Sequence, residues 1–486
     1  MLVQRYHEIV WSLRDIIAGS EYEGHVFVVG GAVRDAQMHN SEIKDIDLVI
    51  DLPNGGIEFA KWLKGRELIS NIVVYENFGT AMFHLNEFPD IELETVHTRK
   101  ECYHDAKTRN PETSYGTLKE DWQRRDFTIN AMYYDISKEK VVDIDDRGMD
   151  DIYAKRIRTC GDPDIIFNED PLRILRMVRF ACRFDFTIED ETYDCARKHV
   201  HRLEIISKER ITDEVTKMLT YSSSSCVKSL CMLTDLHIFN YDPWRLHRTL
   251  KTHEMCKGIE EMFDVRFRYN KYQIRHDYNS HKMTENMPLI VPVLAKIAHY
   301  MELTDREIEH YLQGVLKYPN DIVSKVLFLK KVNSLLYSYN YHKKDMAWGV
   351  RAAMNECGDT ETFLWATIVG SAEVLHCFHD WQLWKNWFDT KSWEGKNFFT
   401  YLDENQSEFY TYKIPIDGND VMEIFGIGPG KDVKTYLLMV RTNALSLGKC
   451  LDREQCLEFL RMRKKVDDEA REIMKRMNLL DNTDKE

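Results

Sequence analysis

An excess of positive charge is missing from this sequence: 66 Lys and Arg face 80 Asp and Glu, for a net charge of −14. Binding to nucleic acid through overall charge is therefore disfavoured, and any such contact must use a local basic face. The eleven cysteines include no CxxC pair and no ladder of regular spacings, which reads as reduced thiols. No apolar run reaches the length of about eighteen residues that a membrane-spanning helix needs. The opening MLVQRYHEIVWSLRDII lacks the basic-then-apolar layout of a signal peptide. Together these absences predict a cytoplasmic protein with no membrane association, and nothing in them implies an obligate protein partner.

What is present divides along the chain. A length of 486 residues permits more than one domain. Up to about residue 160, strand-like runs such as His25 to Val29 and Ile46 to Ile50 alternate with helical stretches, the pattern of a mixed α/β unit. From Asp164 helical spacing dominates, over Pro171 to Phe184 and Lys208 to Leu219. Between about 225 and 400 the chain is rich in Trp, Tyr and His but has no fixed period. A turn-rich stretch with Gly418, Gly426, Gly428, Pro429 and Gly430 then precedes a helical run from Val433. The expected segments are 1–160, 161–225, 226–400 and 401–486.

The sharpest motifs lie in the first two. Gly30-Gly31-Ala32-Val33-Arg34-Asp35 follows the first strand, and glycines at a strand-to-helix turn let backbone amides approach a triphosphate. Asp45-Ile46-Asp47 puts two carboxylates on one face of a strand, where they can ligate the same magnesium ions. A two-metal transfer needs a further carboxylate from a nearby strand, and Glu94 is preferred, with Glu92 on the same face by alternation. A lone DxD more often ends a strand at a solvated edge, so context has to decide.

Arg124-Arg125-Asp126 stands at the expected start of an apolar helix that also carries Asn130, and phosphates and ribose hydroxyls suit that set of side chains. The bland alternative makes Asp126 an N-cap beside solvated arginines. Farther on, Glu169-Asp170-Pro171-Leu172-Arg173 opens a helix with Asp170 and Arg173 three residues apart, so both can converge on one ligand. An accepting Asp170 and a donating Arg173 complement the amine and ring nitrogen of cytosine or adenine, whereas uracil and guanine present the opposite polarity. Arg176 and Arg179 repeat the spacing among Leu172, Leu175 and Val178, so they lie on a partly buried face. From there they can reach a triphosphate or hold the carboxylates in place. Glu169, Asp170, Arg173, Arg176 and Arg179 all count as candidate nucleotide-binding residues.

In order, the segments GGAVRD, DIDLVI, RKECYHDAKTRNPETSYGTLKEDWQRRDFTINAM and EDPLRILRMVRF resemble the class II tRNA nucleotidyltransferase and bacterial poly(A) polymerase family. The resemblance covers roughly residues 24 to 220, including Glu209-Arg210-Ile211, with a fainter echo at Gly426 to Gly430. It implies an α+β fold: a polymerase-β-like nucleotidyltransferase head followed by a mostly α-helical neck, body and tail, with the tRNA acceptor end along the helical parts. It also implies that Asp45 and Asp47 bind Mg2+ and that Gly31 and Arg34 bind the triphosphate. Arg125 and Asp126 would take the sugar and phosphates, and Asp170 and Arg173 would act as the protein template for base choice. The implied reaction is CCA addition from CTP and ATP, by in-line attack of the tRNA 3′-hydroxyl with release of pyrophosphate.

Within that family, Asn71 to Thr80 lacks the basic and aromatic signature of poly(A) polymerases, and Arg99 to Gly116 looks like the loop of enzymes that add A. The family's DPxxGxxDL segment is represented by Asp145-Asp146-Arg147-Gly148-Met149-Asp150-Asp151-Ile152, without the proline. His276-Asp277 and His379-Asp380 lack the helical ligand spacing of a phosphohydrolase metal site. A poly(A) polymerase or A-adding enzyme of the same family, a catalytically idle RNA-binding protein, and a nucleotidyltransferase acting on another substrate remain as alternatives.

Overall fold

In the computed structural model of the chain, the residues described are 2–39, 45–76, 79–102, 112–241, 253–260, 262–263, 288–338, 351–358, 362–363, 366 and 408–476. They form two compact units, residues 1–252 with 314–317 and residues 253–313 with 318–486.

The main sheet and a ribbon of the first unit use the strands β1 (Val26–Val29), β2 (Asp45–Ile50), β3 (Ile69–Tyr75), β4 (Thr80–Leu85), β5 (Phe88–His97), β6 (Arg99–Cys102), β7 (Glu112–Tyr115), β8 (Tyr133–Asp135) and β9 (Lys140–Val142), and the short strands Arg156–Ile157 and Thr187–Ile188 pair separately. Seven of them make one sheet in the order β3-β4-β5-β2-β1-β8-β9, and β6 pairs with β7 as a separate antiparallel ribbon. Within the seven-stranded sheet, β2 and β5 are the pair that runs parallel among the described residues. A parallel pair needs a crossover, and this one runs through helix α3 (Gly55–Gly65), β3 and β4. Helix α3 sits flush on the sheet, because a Cβ at Gly56 would come within 2.7 Å of Val96 Cα. The Thr95 hydroxyl donates to the Gly56 carbonyl at 2.9 Å to complete that contact.

Helix α1 (Leu2–Ile17) buries Tyr6, Ile9, Val10, Leu13 and Ile17, the spacing of one helical stripe. On the sheet face that carries Val49, an apolar cluster joins Phe27, Val29, Ala131 and Tyr133 to Trp122 of helix α4 (Leu118–Gln123). Helix α4 begins at a capping box in which Thr117 and Glu120 satisfy each other's backbone amides. Helix α2 (Gly31–Gln37) follows β1, and helix α5 (Arg147–Tyr153) precedes the short strand Arg156–Ile157.

Helices α6 (Pro163–Glu169), α7 (Leu172–Phe184), α8 (Asp190–His199), α9 (Lys208–Thr220) and α10 (Ser223–Asp235) belong to the same unit as the sheet. Helix α7 buries Leu172, Leu175 and Val178 and packs on α9 and α10. The helix expected from Arg124 to Met132 is not formed. Only the single 3-10 turn Thr128–Asn130 appears there, followed directly by strand β8. Ala131 and Tyr133 are claimed by the apolar cluster on the sheet, and that packing overrides the local helical pattern.

In the second unit the described residues are helical, including Ile290–Tyr300, Asn320–Ser338, Gly418–Phe425, Lys431–Leu447 and Arg453–Arg476. Val421, Val440, Ala444 and Leu460 form the core of the last three. The expected turn is present: Gly426 ends its helix in the left-handed region at φ +68°, and Phe425 stacks on Tyr436 beyond it. His276-Asp277 and His379-Asp380, most of the Trp-rich stretch from 330 to 400, and the tip of the Arg99 to Gly116 segment lie outside the described residues. No described helix is long and apolar enough to cross a membrane.

Candidate active site

Strand register settles which carboxylates share a face. Asp45 pairs with Glu92 and Asp47 with Glu94 across the parallel strands β2 and β5. Paired positions on neighbouring strands point to one side, so all four positions lie on the face that holds Val29 and Val49. Asp47 and Glu94 are exposed, and Glu92 is half-buried. For Asp45 the strand position is described and the side chain is not. Among the described residues no three metal-capable side chains converge into a ready cage. The donors on this face are carboxylate oxygens, which suit a hard divalent ion whose remaining ligands come from a triphosphate.

The turn above this face is held by Gly30, whose φ of +77° and ψ of −135° lie in a region kept for glycine. A Cβ there would stand 3.4 Å from Asp47 Oδ2. The turn brings in Arg34, which is 4% exposed. Its guanidinium donates to Asp35 Oδ1 at 2.8 Å and to Asn130 Oδ1 at 2.5 Å, and it lies 4.6 Å from the Phe184 ring. Burial lowers its pKa below the ordinary arginine value, and Asp35 opposes that shift.

Asp126, also buried, accepts from Phe127 N at 2.8 Å and from Asn130 Nδ2 at 3.2 Å. On its other oxygen it accepts from Arg176 Nε at 2.8 Å. Burial favours the neutral acid, but the Arg176 charge outweighs it and holds Asp126 below the usual carboxylate range. Arg176 and Arg179 both meet Glu214 on α9, with Arg179 Nε 2.6 Å from Glu214 Oε2 and Arg176 Nη1 3.6 Å from Glu214 Oε1. These two arginines therefore hold carboxylates, one of the two roles their spacing allowed.

Asp170 and Arg173 have separate partners. Asp170 accepts from Leu172 N at 3.1 Å and from Arg210 Nη2 at 3.2 Å. Arg173 donates from Nη1 to the Ile166 carbonyl at 2.9 Å and to Glu169 Oε2 at 3.4 Å, and from Nη2 to the Arg124 carbonyl. Arg124 and Arg125 converge on Asp121, a fully buried residue absent from the sequence-based candidates. Burial pushes the Asp121 carboxyl up, but the two guanidiniums prevail and hold it far below the ordinary range.

Asp121 was legible in principle, because it stands three and four residues before the arginines on one helical stretch. Glu214 was not, because 35 residues separate it from Arg179 and only the packing of α7 on α9 joins them. In α5, Asp151 is fully buried and takes Thr128, Arg156 and Arg158. The altered DPxxGxxDL segment thus anchors the 3-10 turn next to Asp126.

The family profile described as the poly A polymerase head domain matches residues 26–158, and that of the probable RNA and SrmB-binding site of polymerase A matches residues 185–241. The CCA-adding enzyme of Pediococcus pentosaceus is 32% identical over 310 residues, covering 64% of this chain and 68% of that protein. The tRNA nucleotidyltransferase cca2 of Schizosaccharomyces pombe is 35% identical over 177 residues, and the match spans 36% of each chain. The Thermotoga maritima CCA-adding enzyme, solved in complex with tRNA, shares the fold with a TM-score of 0.59 at 21% identity over 94% of this chain and 95% of that one.

Proposed function

The chain belongs to the family of tRNA nucleotidyltransferases and CCA-adding enzymes, and we propose that it adds C, C and A to the 3′ end of tRNA from CTP and ATP, without a nucleic-acid template. The observation that carries this reading is the parallel register that sets Asp47 beside Glu94, next to the Gly30-Gly31 turn and its buried Arg34. A catalytically idle RNA-binding protein has no need of paired carboxylates facing a phosphate-approaching turn.

Asp45 and Asp47, with Glu94 beside them, would hold Mg2+, the divalent ion that the oxygen-only donor set suits. When bound, the metal supplies charge neutralisation on the triphosphate and a lowered pKa for the attacking hydroxyl. The residues of the chain position and select. Gly31 lets the triphosphate approach the backbone, and Arg34 presents positive charge beneath it. Arg125, Asp126 and Asn130 face the sugar and phosphates. Arg176 keeps Asp126 ionised, and Arg176 and Arg179 hold Asp126 and Glu214 in place. Asp170 accepts the exocyclic amine of cytosine or adenine and Arg173 donates to the ring nitrogen, with Glu169 steadying Arg173. The tRNA 3′-hydroxyl then attacks the α-phosphate in line and pyrophosphate leaves. A cytoplasmic setting fits the cysteines, none of which is in a disulfide among the described residues.

The test uses the full chain with magnesium and tRNA transcripts ending before CCA, after C and after CC, each supplied with labelled CTP or ATP. Three additions in the order C, C, A support the reading. Long A tails would make the protein a poly(A) polymerase, A on the CC substrate alone an A-adding enzyme, and no incorporation an idle binder.

A further inference from the structure

Asp121 is the point at which four elements meet, and none of the roles above uses it. Its Oδ1 accepts from Arg124 Nε at 3.0 Å and from the Arg99 backbone amide at 3.4 Å. Its Oδ2 accepts from Arg125 Nε at 3.0 Å, from Arg125 Nη2 at 2.7 Å and from the Tyr133 hydroxyl at 2.8 Å. The carboxylate thus joins α4, the root of the β6–β7 ribbon, the Arg-Arg-Asp segment and strand β8.

Two guanidiniums on one buried carboxylate leave no slack. Without the anion they repel each other across a few ångströms in a low-dielectric interior. Arg124 is the C-cap residue of α4, and its carbonyl lies in the peptide between two residues, Arg124 and Arg125, whose side chains are both anchored on Asp121. That carbonyl is the acceptor for Arg173 Nη2, and the Arg124 side chain is held a second way because its Nε also donates to the Arg99 carbonyl at 3.2 Å.

We propose that Asp121 is a positioning residue for base selection: by fixing Arg124 it fixes the carbonyl that aims Arg173, and so sets how sharply the chain prefers CTP and ATP over UTP and GTP. This rests on the reading of Arg173 as a base-selecting donor. The mechanism is indirect, since Asp121 is fully buried and touches no nucleotide. Loss of its charge leaves Arg173 attached to Ile166 and Glu169 but free to swing at Nη2. A donor with a loosened aim still binds a nucleotide yet distinguishes base edges less well.

The experiment compares the full-length wild type with Asp121→Asn by two readouts: equilibrium binding of each of the four nucleoside triphosphates, and single-nucleotide incorporation on tRNA. The expected result for Asp121→Asn is a fall of roughly tenfold in the CTP-to-UTP ratio of kcat/KM, corresponding to about 1.4 kcal/mol, with KM for tRNA unchanged. A uniform loss of activity with that ratio intact would assign Asp121 a purely structural role and overturn the proposal. If Asp121→Asn does not fold, Tyr133→Phe takes its place, because it removes one donor to the same carboxylate without unbalancing charge. It should move the ratio in the same direction by a smaller factor, and an unmoved ratio overturns the proposal. A wild type that binds nucleotides selectively but adds none to tRNA fails the proposed function alone, and the binding ratios still decide the role of Asp121. A wild type that binds no nucleotide overturns both.

Discussion

Arg176 reaches from α7 to within 2.6 Å of Asp126 Oδ2. The helix that carries Arg173 and the segment that carries the candidate sugar and phosphate ligands are therefore joined by an ion pair. Asp126 is buried, so its charge depends on that partner.

Arg176→Met should lower the unfolding free energy at neutral pH by about 3 kcal/mol, because it leaves Asp126 charged and buried without its strongest partner. The wild-type carboxyl has a depressed pKa, so its contribution is present above the unfolded aspartate value of about 3.9 and is lost as pH falls through the folded value. In the variant burial is opposed only by the bonds from Phe127 N and Asn130 Nδ2, so the carboxyl rises and that contribution shrinks. The stability gap should therefore be widest near pH 7 and narrow as pH falls below about 4, as urea titrations across that range would show. A gap that does not change with pH would place the loss in packing.

Asp47→Asn should cut nucleotide incorporation by about a hundredfold to a thousandfold with little change in melting temperature, because the side chain is exposed and opposite Glu94. Glu94→Gln should follow Asp47→Asn more closely than Glu92→Gln does, since Glu92 pairs with Asp45 one step farther along the strand. Steady-state kinetics on the three variants, with magnesium titrated, check the order.

Gly30→Ala should lose about 1–3 kcal/mol of stability, because alanine is strained at φ +77° and ψ −135°. The added methyl also stands 3.4 Å from Asp47 Oδ2, so activity should fall by more than the folded fraction does. Chemical denaturation alongside active-site titration separates the two effects.

Arg210→Ala should leave stability within about 0.5 kcal/mol, since an exposed arginine contributes little through one ion pair. It frees Asp170 Oδ2 from its 3.2 Å contact, so relative incorporation of the four nucleotides should change while overall stability does not. Competition assays with mixed nucleotides read this directly.

The metal-side residues were legible because strand alternation is local: Asp45 and Asp47 differ by two positions and share a face wherever the strand goes. The arginine spacing on α7 was legible for the same reason, and the buried Leu172, Leu175 and Val178 agree with it. The segment after Arg125 misled because its apolar residues suit a helix as well as a sheet, and only the cluster around Tyr133 decides between them. Asp121 gave a local signal that went unread, an acidic residue at helical spacing from two arginines.

Sequence by itself determined the order of the motifs, the shared face of the two aspartates, and the mainly helical character of the described residues after 164, apart from the two-residue strand Thr187–Ile188. These follow from periods of two and of about 3.6 residues, which a chain carries regardless of its distant contacts. The tertiary structure alone decided that Glu94 stands beside Asp47, that Arg176 and Arg179 serve Asp126 and Glu214, and that Arg173 hangs from the carbonyl of Arg124. Those partners lie 35 to 50 residues apart along the chain. Their pairing depends on strand crossover and helix packing, which bring together side chains whose local sequences hold no record of one another.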